Sequence, residues 1–305
     1  MFKNILIIGT GSIAQRHMEV LKKIKKNLNI VNISSRVFDQ LDKKKFNLLA
    51  SKDFDYILIC SPSNYHFKHL KVIEKNFEKK IVFIEKPVFN KKYKIPKKLK
   101  NRYFVGYNLR FNPVIQFLKK YLKKKDIYNV NVNSYSYLPL WRKKKKYFNS
   151  VSAKEKLGGG VALELSHEID YLIWFFKDIR LLNSFNSKIS SLRIDTDDVL
   201  NFVSRFKKII INVNMNFFSL INRREIIIDG KYFSLIGDLL SNKVIIKSKK
   251  GSKKIIKDFN NFKNYTYIKQ QTAILNEQYG NLCTLEDGIK VLNFLKKIKK
   301  TKVLK

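Results

Sequence analysis

The sequence predicts an α/β chain of two domains, and three patterns carry the prediction. Residues 2–36 read as strand, glycine turn, helix and second strand. Two further apolar strands, ending at Pro62 and at Pro87, follow with a helical stretch (residues 65–78) between them. Residues 180–250 then hold short β-rich runs, "DDVLNFVSRF", "IIINVNMNFF", "RREIIID", "KYFSLIG" and "NKVIIKS". Asp229-Gly230 between two of these runs is a hairpin signal, and hairpins imply antiparallel pairing. Strands that alternate with helices belong to a parallel sheet, whereas the hairpin runs belong to a sheet of another kind. The boundary falls at residues 108/109, giving domains 1–108 and 109–305, with a C-terminal helix that can pack back on the first. No internal repeat and no long Gly/Ser/Pro linker separates them.

Each element has its reason. Residues 2–8 form a short apolar run suited to a buried parallel strand. Gly9, Gly11, Ser12, Ile13 and Ala14 then match GxGxxA and open a helix that places Val20, Leu21 and Ile24 on one side. The first glycine permits the tight turn, the second lets backbone approach a pyrophosphate, and Ala14 allows close helix–strand packing. Free N–H groups and the dipole at a helix N-terminus favour that anion. With the strand before and after it, the motif reads as a Rossmann dinucleotide-binding turn. The second strand ends in Ser34-Ser35-Arg36 rather than in a carboxylate. A hydroxyl and a guanidinium suit a 2′-phosphate, so NADP is favoured over NAD, with use of both left open; Asp39 lies further on and is less well placed. Near the C-terminus, Thr284 caps a helix whose stripe is Leu285, Ile289, Leu292 and Leu295.

Composition narrows the class. A chain of 305 residues with 45% apolar content can bury two cores. No run has the length of a membrane span and the N-terminus lacks the layout of a signal peptide, so a cytoplasmic protein is expected. Cys60 and Cys283 fit a reducing compartment and show no metal-ligand spacing, and no metal is expected. The net charge of +39 raises nucleic-acid binding. The lysines are spread along the chain, however, and fill solvent positions behind apolar segments, which argues against a nucleic-acid partner.

Chemistry-bearing residues concentrate at strand ends and on one helix. "CSPSNYH" supplies Ser61, Pro62, Asn64 and His66, and "EKP" supplies Glu85 and Lys86, both beyond the carboxyl ends of strands, where open α/β sheets bind ligands. A lysine ending an apolar strand is partly desolvated, which lowers its pKa and aids proton exchange; taken alone, it reads better as a snorkelling side chain. Residues 161–176, laid on one helical wheel, gather Leu165, Ile169, Leu172, Ile173 and Phe176 on the core side. His167 falls opposite, with Glu164 and Asp170 about 60° to either side, so either carboxylate can engage the imidazole at i,i+3 spacing. Such a partner fixes the tautomer and makes the ring a better base; the alternative is a solvated polar face.

The segments "GTGSIAQRH" (9–17), "CSPSNYH" (60–66), "EKP" (85–87), "GYNLRFNP" (106–113) and "GGGVALELSHEIDY" (158–171) together resemble the Gfo/Idh/MocA family of sugar and cyclitol oxidoreductases. They come in that family's order and spacing. The resemblance implies a Rossmann domain followed by an α/β domain with a large open, mainly antiparallel sheet, often used to form dimers or tetramers. It implies a cis bond before Pro87, and a helix whose Asp/His pair faces the nicotinamide. Here the acidic position is Glu164, three residues before His167, as in a subgroup reading LSHE-hydrophobic-DY; Glu164 and Asp170 both stand as partners for the histidine. "YLPLWRKKKKYFNSVSAKEKLGGG" resembles that subgroup's substrate loop. There Tyr137 and Trp141 can pack on a sugar ring, and Arg142, like Arg110 in "GYNLRF", can pair with a phosphate or carboxylate. Lysines 143–146 face either a phosphate or only solvent.

The activity implied is hydride transfer between a nicotinamide cofactor, NADP or NAD, and a carbinol or ketone of a sugar or nucleotide sugar, plausible in surface-polysaccharide sugar synthesis. Lys86 or His167 would exchange the hydroxyl proton. Two rivals keep part of the evidence: NAD-assisted glycoside cleavage through transient oxidation, and a basic module that binds without catalysis.

Overall fold

The structure, a computed structural model, describes residues 2–142, 146–249, 253–259 and 262–298. The chain divides into two compact units, Met1–Asn108 with Asn264–Leu292, and Leu109–Lys263 with Asn293–Lys305. Residues 264–292, read from sequence with the second domain, thus belong to the first unit.

The first unit alternates strand and helix: β1 (Asn4–Ile8), α1 (Ser12–Ile24), β2 (Asn29–Ile33), α2 (Ser35–Asp39), α3 (Lys43–Ala50), β3 (Tyr56–Ile59), α4 (Ser63–Asn76), β4 (Ile81–Ile84) and β5 (Arg102–Val105). β1 to β5 lie parallel in the order β5-β4-β3-β1-β2. Their near-continuous apolar runs fit this arrangement: Ile5 to Ile8 and Tyr56 to Ile59 are fully buried, as strands covered on both faces must be.

The second unit begins with α5 (Pro113–Tyr121), started by Asn112, whose side chain accepts the N–H groups of Val114 and Ile115. It continues through β6 (Ile127–Tyr137), α6 (Val161–Glu164), α7 (His167–Phe176), β7 (Arg180–Ser187), β8 (Val199–Phe206), β9 (Ile209–Asn216), β10 (Phe218–Gly230), β11 (Phe233–Asp238), β12 (Lys243–Ser248) and β13 (Lys253–Asp258). These eight strands form one sheet, ordered β13-β12-β11-β10-β6-β9-β8-β7, antiparallel except where β6 runs parallel to β9. The expected mainly antiparallel sheet is present. The sequence runs omitted its inner strand β6, which alternates buried Val130 and Val132 with Asn129, Asn131 and Asn133.

The chain then returns to the first unit with α8 (Tyr265–Leu275), β14 (Cys283–Thr284) and the start of α9 (Leu285–Lys297). β14 pairs antiparallel with β5. Thr284 Oγ1 accepts the Asp287 N–H at 3.1 Å, as its capping position predicts.

One hairpin differs from expectation. Asp229 pairs with Ser234 and Gly230 with Phe233, so Lys231 and Tyr232 make the turn, with Tyr232 at φ 67°. Gly230 serves close approach instead: a Cβ there would meet the Phe233 ring at 2.3 Å and the Asp126 carbonyl at 2.4 Å. No helix among the described residues is long and apolar enough to cross a membrane, and none of their His, Cys, Asp and Glu side chains group as a metal site.

Candidate functional site

The nucleotide turn is built by β1, α1 and β2. Gly9 has φ 121°, and a Cβ there would lie 2.6 Å from the Cys60 carbonyl oxygen, so only glycine fits between β1 and the end of β3. Its N–H donates to Ile33 O at 2.7 Å, and Asn32 Nδ2 donates to Ile7 O and Gly9 O. Gly11, the residue before α1, differs: a Cβ would meet nothing within 4 Å. Gly11 and Ser12 are exposed, Ile13 is half-buried, Ala14 is buried, and the first turn carries no acid. That leaves an open, positive helix end with room for an anion.

The second strand-end loop adds polar groups. At the start of α4, Ser63 Oγ and Asn64 Oδ1 are buried with no hydrogen-bond partner among the described residues. Buried orphans of this kind fit a ligand that brings its own polar atoms. With the space over Gly11, they make the residues present a fit for a dinucleotide. Ser61 and His66 are placed otherwise. Ser61 Oγ bonds His69 Nδ1 at 3.0 Å. His66 is buried, with Nε2 2.8 Å from Ser61 O and Nδ1 3.0 and 3.1 Å from Pro87 O and Val88 O. Burial lowers its pKa. His66 therefore ties two strand-end loops together through their main chains, and its nitrogens are spent there. Pro62 precedes α4 as its N-cap.

At the end of β2, Ser34 Oγ caps α2 through the Val37 N–H, Ser35 is half-buried and Arg36 is exposed. Asp39 accepts from Lys68 Nζ at 2.8 Å and from His69 Nε2 at 3.1 Å. Its carboxylate is held by α4.

Glu85 and Lys86 end β4, and the Lys86–Pro87 bond is cis, as the resemblance implied. Glu85 is 6% exposed. Its Oε1 accepts from His17 Nε2 at 2.8 Å and its Oε2 accepts the Lys86 N–H at 3.1 Å. His17 itself is bonded through Nδ1 to Gln271 Nε2 at 3.1 Å, and Gln271 Oε1 accepts the Tyr56 hydroxyl at 2.8 Å. Sequence reasoning missed His17. It lies on the buried stripe of α1 with Ala14 and Leu21, and a histidine on an apolar stripe was the available signal. Gln271 had none, since it comes from α8, more than two hundred residues away.

In the second unit, the expected single helix over residues 161–176 is broken. α6 makes one turn and α7 restarts at His167, because the Ser166 hydroxyl donates back to Leu163 O at 2.8 Å and competes with the helix ladder. Leu165, Ile169, Leu172, Ile173 and Phe176 are buried as expected. The opposite side is not a solvated face: His167 is 9% exposed and Asp170 1%. Glu164, half-buried at the end of α6, accepts from Ser152 Oγ at 3.2 Å. It is not on one helix with His167, so the i,i+3 argument does not apply to it. Asp170 is clasped by Arg110, whose Nε and terminal amine lie 3.0 and 2.7 Å away. Both side chains are 1% exposed, so Arg110 is an internal counter-ion and not an open anion receptor. Glu168, unremarked in the sequence, is fully buried and accepts from Arg224 Nε at 2.8 Å.

The expected substrate loop forms a pocket of about 360 Å³ lined by Leu138, Trp141, Lys146, Tyr147, Ser150 and Ser152 among others. Trp141 is 39% exposed, packs edge-on against Phe217 and donates to Ser136 Oγ. Tyr137 ends β6 and is half-buried. The Arg142 side chain and lysines 143–145 lie outside the described residues.

Residues 3–107 match the family described as an oxidoreductase family with an NAD-binding Rossmann fold, Gfo/Idh/MocA. No curated protein matches the chain in sequence. Among solved structures, UDP-N-acetylglucosamine 3-dehydrogenase from Acidithiobacillus ferrooxidans is similar at 13% identity and TM-score 0.74, with 98% of this chain and 97% of that chain covered. The WlbA dehydrogenase from Bordetella pertussis, solved with NADH and UDP-GlcNAcA, is similar at 16% identity and TM-score 0.72, covering 98% and 95%. Levoglucosan dehydrogenase, solved with NADH, gives 14% identity and TM-score 0.79, covering 97% and 95%. At such identities these structures speak for the fold, and they extend it over both units. The match to the Gfo/Idh/MocA oxidoreductase family thus covers residues 3–107, the NAD-binding Rossmann domain of the chain.

Proposed function

We propose that this protein is a dehydrogenase or reductase that moves a hydride between a nicotinamide dinucleotide and a carbinol or ketone of a sugar or nucleotide sugar. The observation that carries the reading is Lys86: it follows a buried strand in the nucleotide-binding unit, and its main chain is held by the Glu85 carboxylate. The bound nicotinamide supplies the hydride donor or acceptor. Around it, the Gly9–Gly11 turn and the α1 N-terminus hold the pyrophosphate. In the oxidative direction the substrate hydroxyl gives its proton to Lys86 Nζ or to the His167 ring, and in reverse the same group returns it. The pocket beside Trp141 and Tyr147 offers aromatic faces for a sugar or base, and Lys146 offers a cation for phosphate. The similar dehydrogenase solved with UDP-GlcNAcA supports a nucleotide sugar. Arg36 in the open and Asp39 held by Lys68 and His69 support NADP over NAD.

The purified protein is to be incubated with NAD or NADP and UDP-N-acetylglucosamine or UDP-GlcNAcA, following reduced nicotinamide by absorbance. Turnover is expected, and Lys86→Ala and His167→Ala abolish it while NADH and NADPH titrations stay nearly unchanged. Undiminished turnover in the double variant sinks the assignment of both residues. NADPH is expected to bind more tightly than NADH, with Arg36→Glu reversing the order.

A further inference from the structure

The deepest polar cluster of the first unit contains a histidine that the proposed chemistry does not use. His17 is 0% exposed. The rings of Phe83 and Tyr267 meet its imidazole edge-on, with centroids 5.3 and 5.7 Å away. Its hydrogen bonds form a chain: the Tyr56 hydroxyl donates to Gln271 Oε1 at 2.8 Å, Gln271 Nε2 lies 3.1 Å from His17 Nδ1, and Glu85 Oε1 accepts from His17 Nε2 at 2.8 Å. Glu85 is confined as well: a Cβ on Gly106 would sit 3.0 Å from its carboxylate. Its second oxygen holds the Lys86 N–H.

A buried carboxylate requires donors. An arginine in place of His17 would supply them but would set a second cation beside Lys86. The imidazole of His17 supplies a donor to Glu85 without placing a guanidinium there. We propose that His17 is a positioning residue for Lys86: aligned by Gln271 and Tyr56, it fixes the Glu85 carboxylate, which grips the Lys86 backbone and sets where the ammonium group points. The proposal rests on the reading of Lys86 as the proton-exchanging group.

The test uses His17→Ala, His17→Gln and Gln271→Met in the full chain, with two readouts. Hydrogen exchange of the Lys86 amide needs no substrate. It is expected to speed up about tenfold or more in His17→Ala, since the carboxylate that holds the amide is released. Turnover with UDP-N-acetylglucosamine or UDP-GlcNAcA is expected to lose about ten- to a hundredfold in kcat, because small misplacement of a reacting group has effects of that size. KM and NADH affinity stay within about threefold in the same variant, as only the reacting group has moved. His17→Gln, whose amide can donate to Glu85 and accept from Gln271, restores most of both. If His17→Ala does not fold, Gln271→Met gives the same changes more weakly. An unchanged Lys86 amide, or an unchanged kcat where Lys86→Ala is inactive, overturns the proposal. Full turnover in Lys86→Ala instead overturns the reading of Lys86, and the amide exchange still decides whether His17 acts on that backbone.

Discussion

Glu85 and Asp170 are both buried carboxylates, one in each unit, and they are compensated by opposite means. Asp170 meets the planar fork of Arg110, which cancels its charge and fixes its plane, with Trp174 lying against the guanidinium at 5.3 Å. Glu85 meets an imidazole and a main-chain amide, one on each carboxylate oxygen. The difference separates two ways of satisfying a buried carboxylate: a guanidinium fork grips Asp170, and an imidazole with a main-chain amide fixes the position of Glu85.

The largest effect expected from breaking this comparison is at Arg110. Arg110→Met keeps the apolar stem but strands a buried anion, and is expected to cost about 3–5 kcal/mol in denaturant unfolding. Replacing both partners, Arg110→Met with Asp170→Leu, recovers most of the loss, because an apolar pair of similar volume needs no compensation. A single variant within about 1 kcal/mol of wild type, the range of an exposed ion pair, removes the contrast between the units.

A smaller effect is expected at a second imidazole–carboxylate contact of the first unit. His69 donates from Nε2 to Asp39 and bonds Ser61 through Nδ1, and burial holds its pKa down from 6.5 to about 4, against the pull of Asp39. The folded ring refuses a proton that the unfolded chain accepts below pH 6.5. Stability of the first unit is therefore complete above that pH and falls as pH drops from 6.5 towards 4, by at most about 3 kcal/mol. Urea unfolding across this range checks it, and His69→Gln is expected to flatten the slope. A slope unchanged in that variant would mean that the folded ring is already charged and that burial does not hold its proton off.

The parts of this arrangement differ in how far sequence reveals them, and the reason is physical. The parallel strands, the Gly9 turn and the ends of β3 and β4 follow from local pattern, since apolar runs and glycines act within a few residues. The apolar stripe Leu165 to Phe176 was legible for the same reason. The break at Ser166 was not, because it depends on one hydroxyl choosing a carbonyl over solvent. Pairings across the chain were the least visible. Arg110 with Asp170, Glu168 with Arg224 and His17 with Gln271 each join residues that no periodicity connects. Hence Asp170 and Arg110 read as open site groups in the sequence, and His17 did not read as one at all.

The smallest effect on stability is expected at Gly11, where the contrast is with Gly9. Alanine at Gly9 is opposed twice, by φ 121° and by the Cys60 carbonyl, and the turn cannot form around it. Gly11 has φ −70° and ψ 176°, a conformation any residue adopts, and open space where a Cβ would go. No described atom opposes a side chain there, so Gly11→Ala should change unfolding by no more than about 1 kcal/mol, the poorer helix start with alanine at the N-cap being set against a less flexible unfolded chain. A methyl group at that point stands where a pyrophosphate would approach the α1 N-terminus, and NADH titration is expected to show binding weakened about tenfold or more. Stability kept and cofactor lost would mean that this glycine is present for the ligand alone. Unweakened binding in a stable Gly11→Ala protein would move the pyrophosphate away from this helix end, and the orphaned groups at Ser63 and Asn64 would then be the place to look for it.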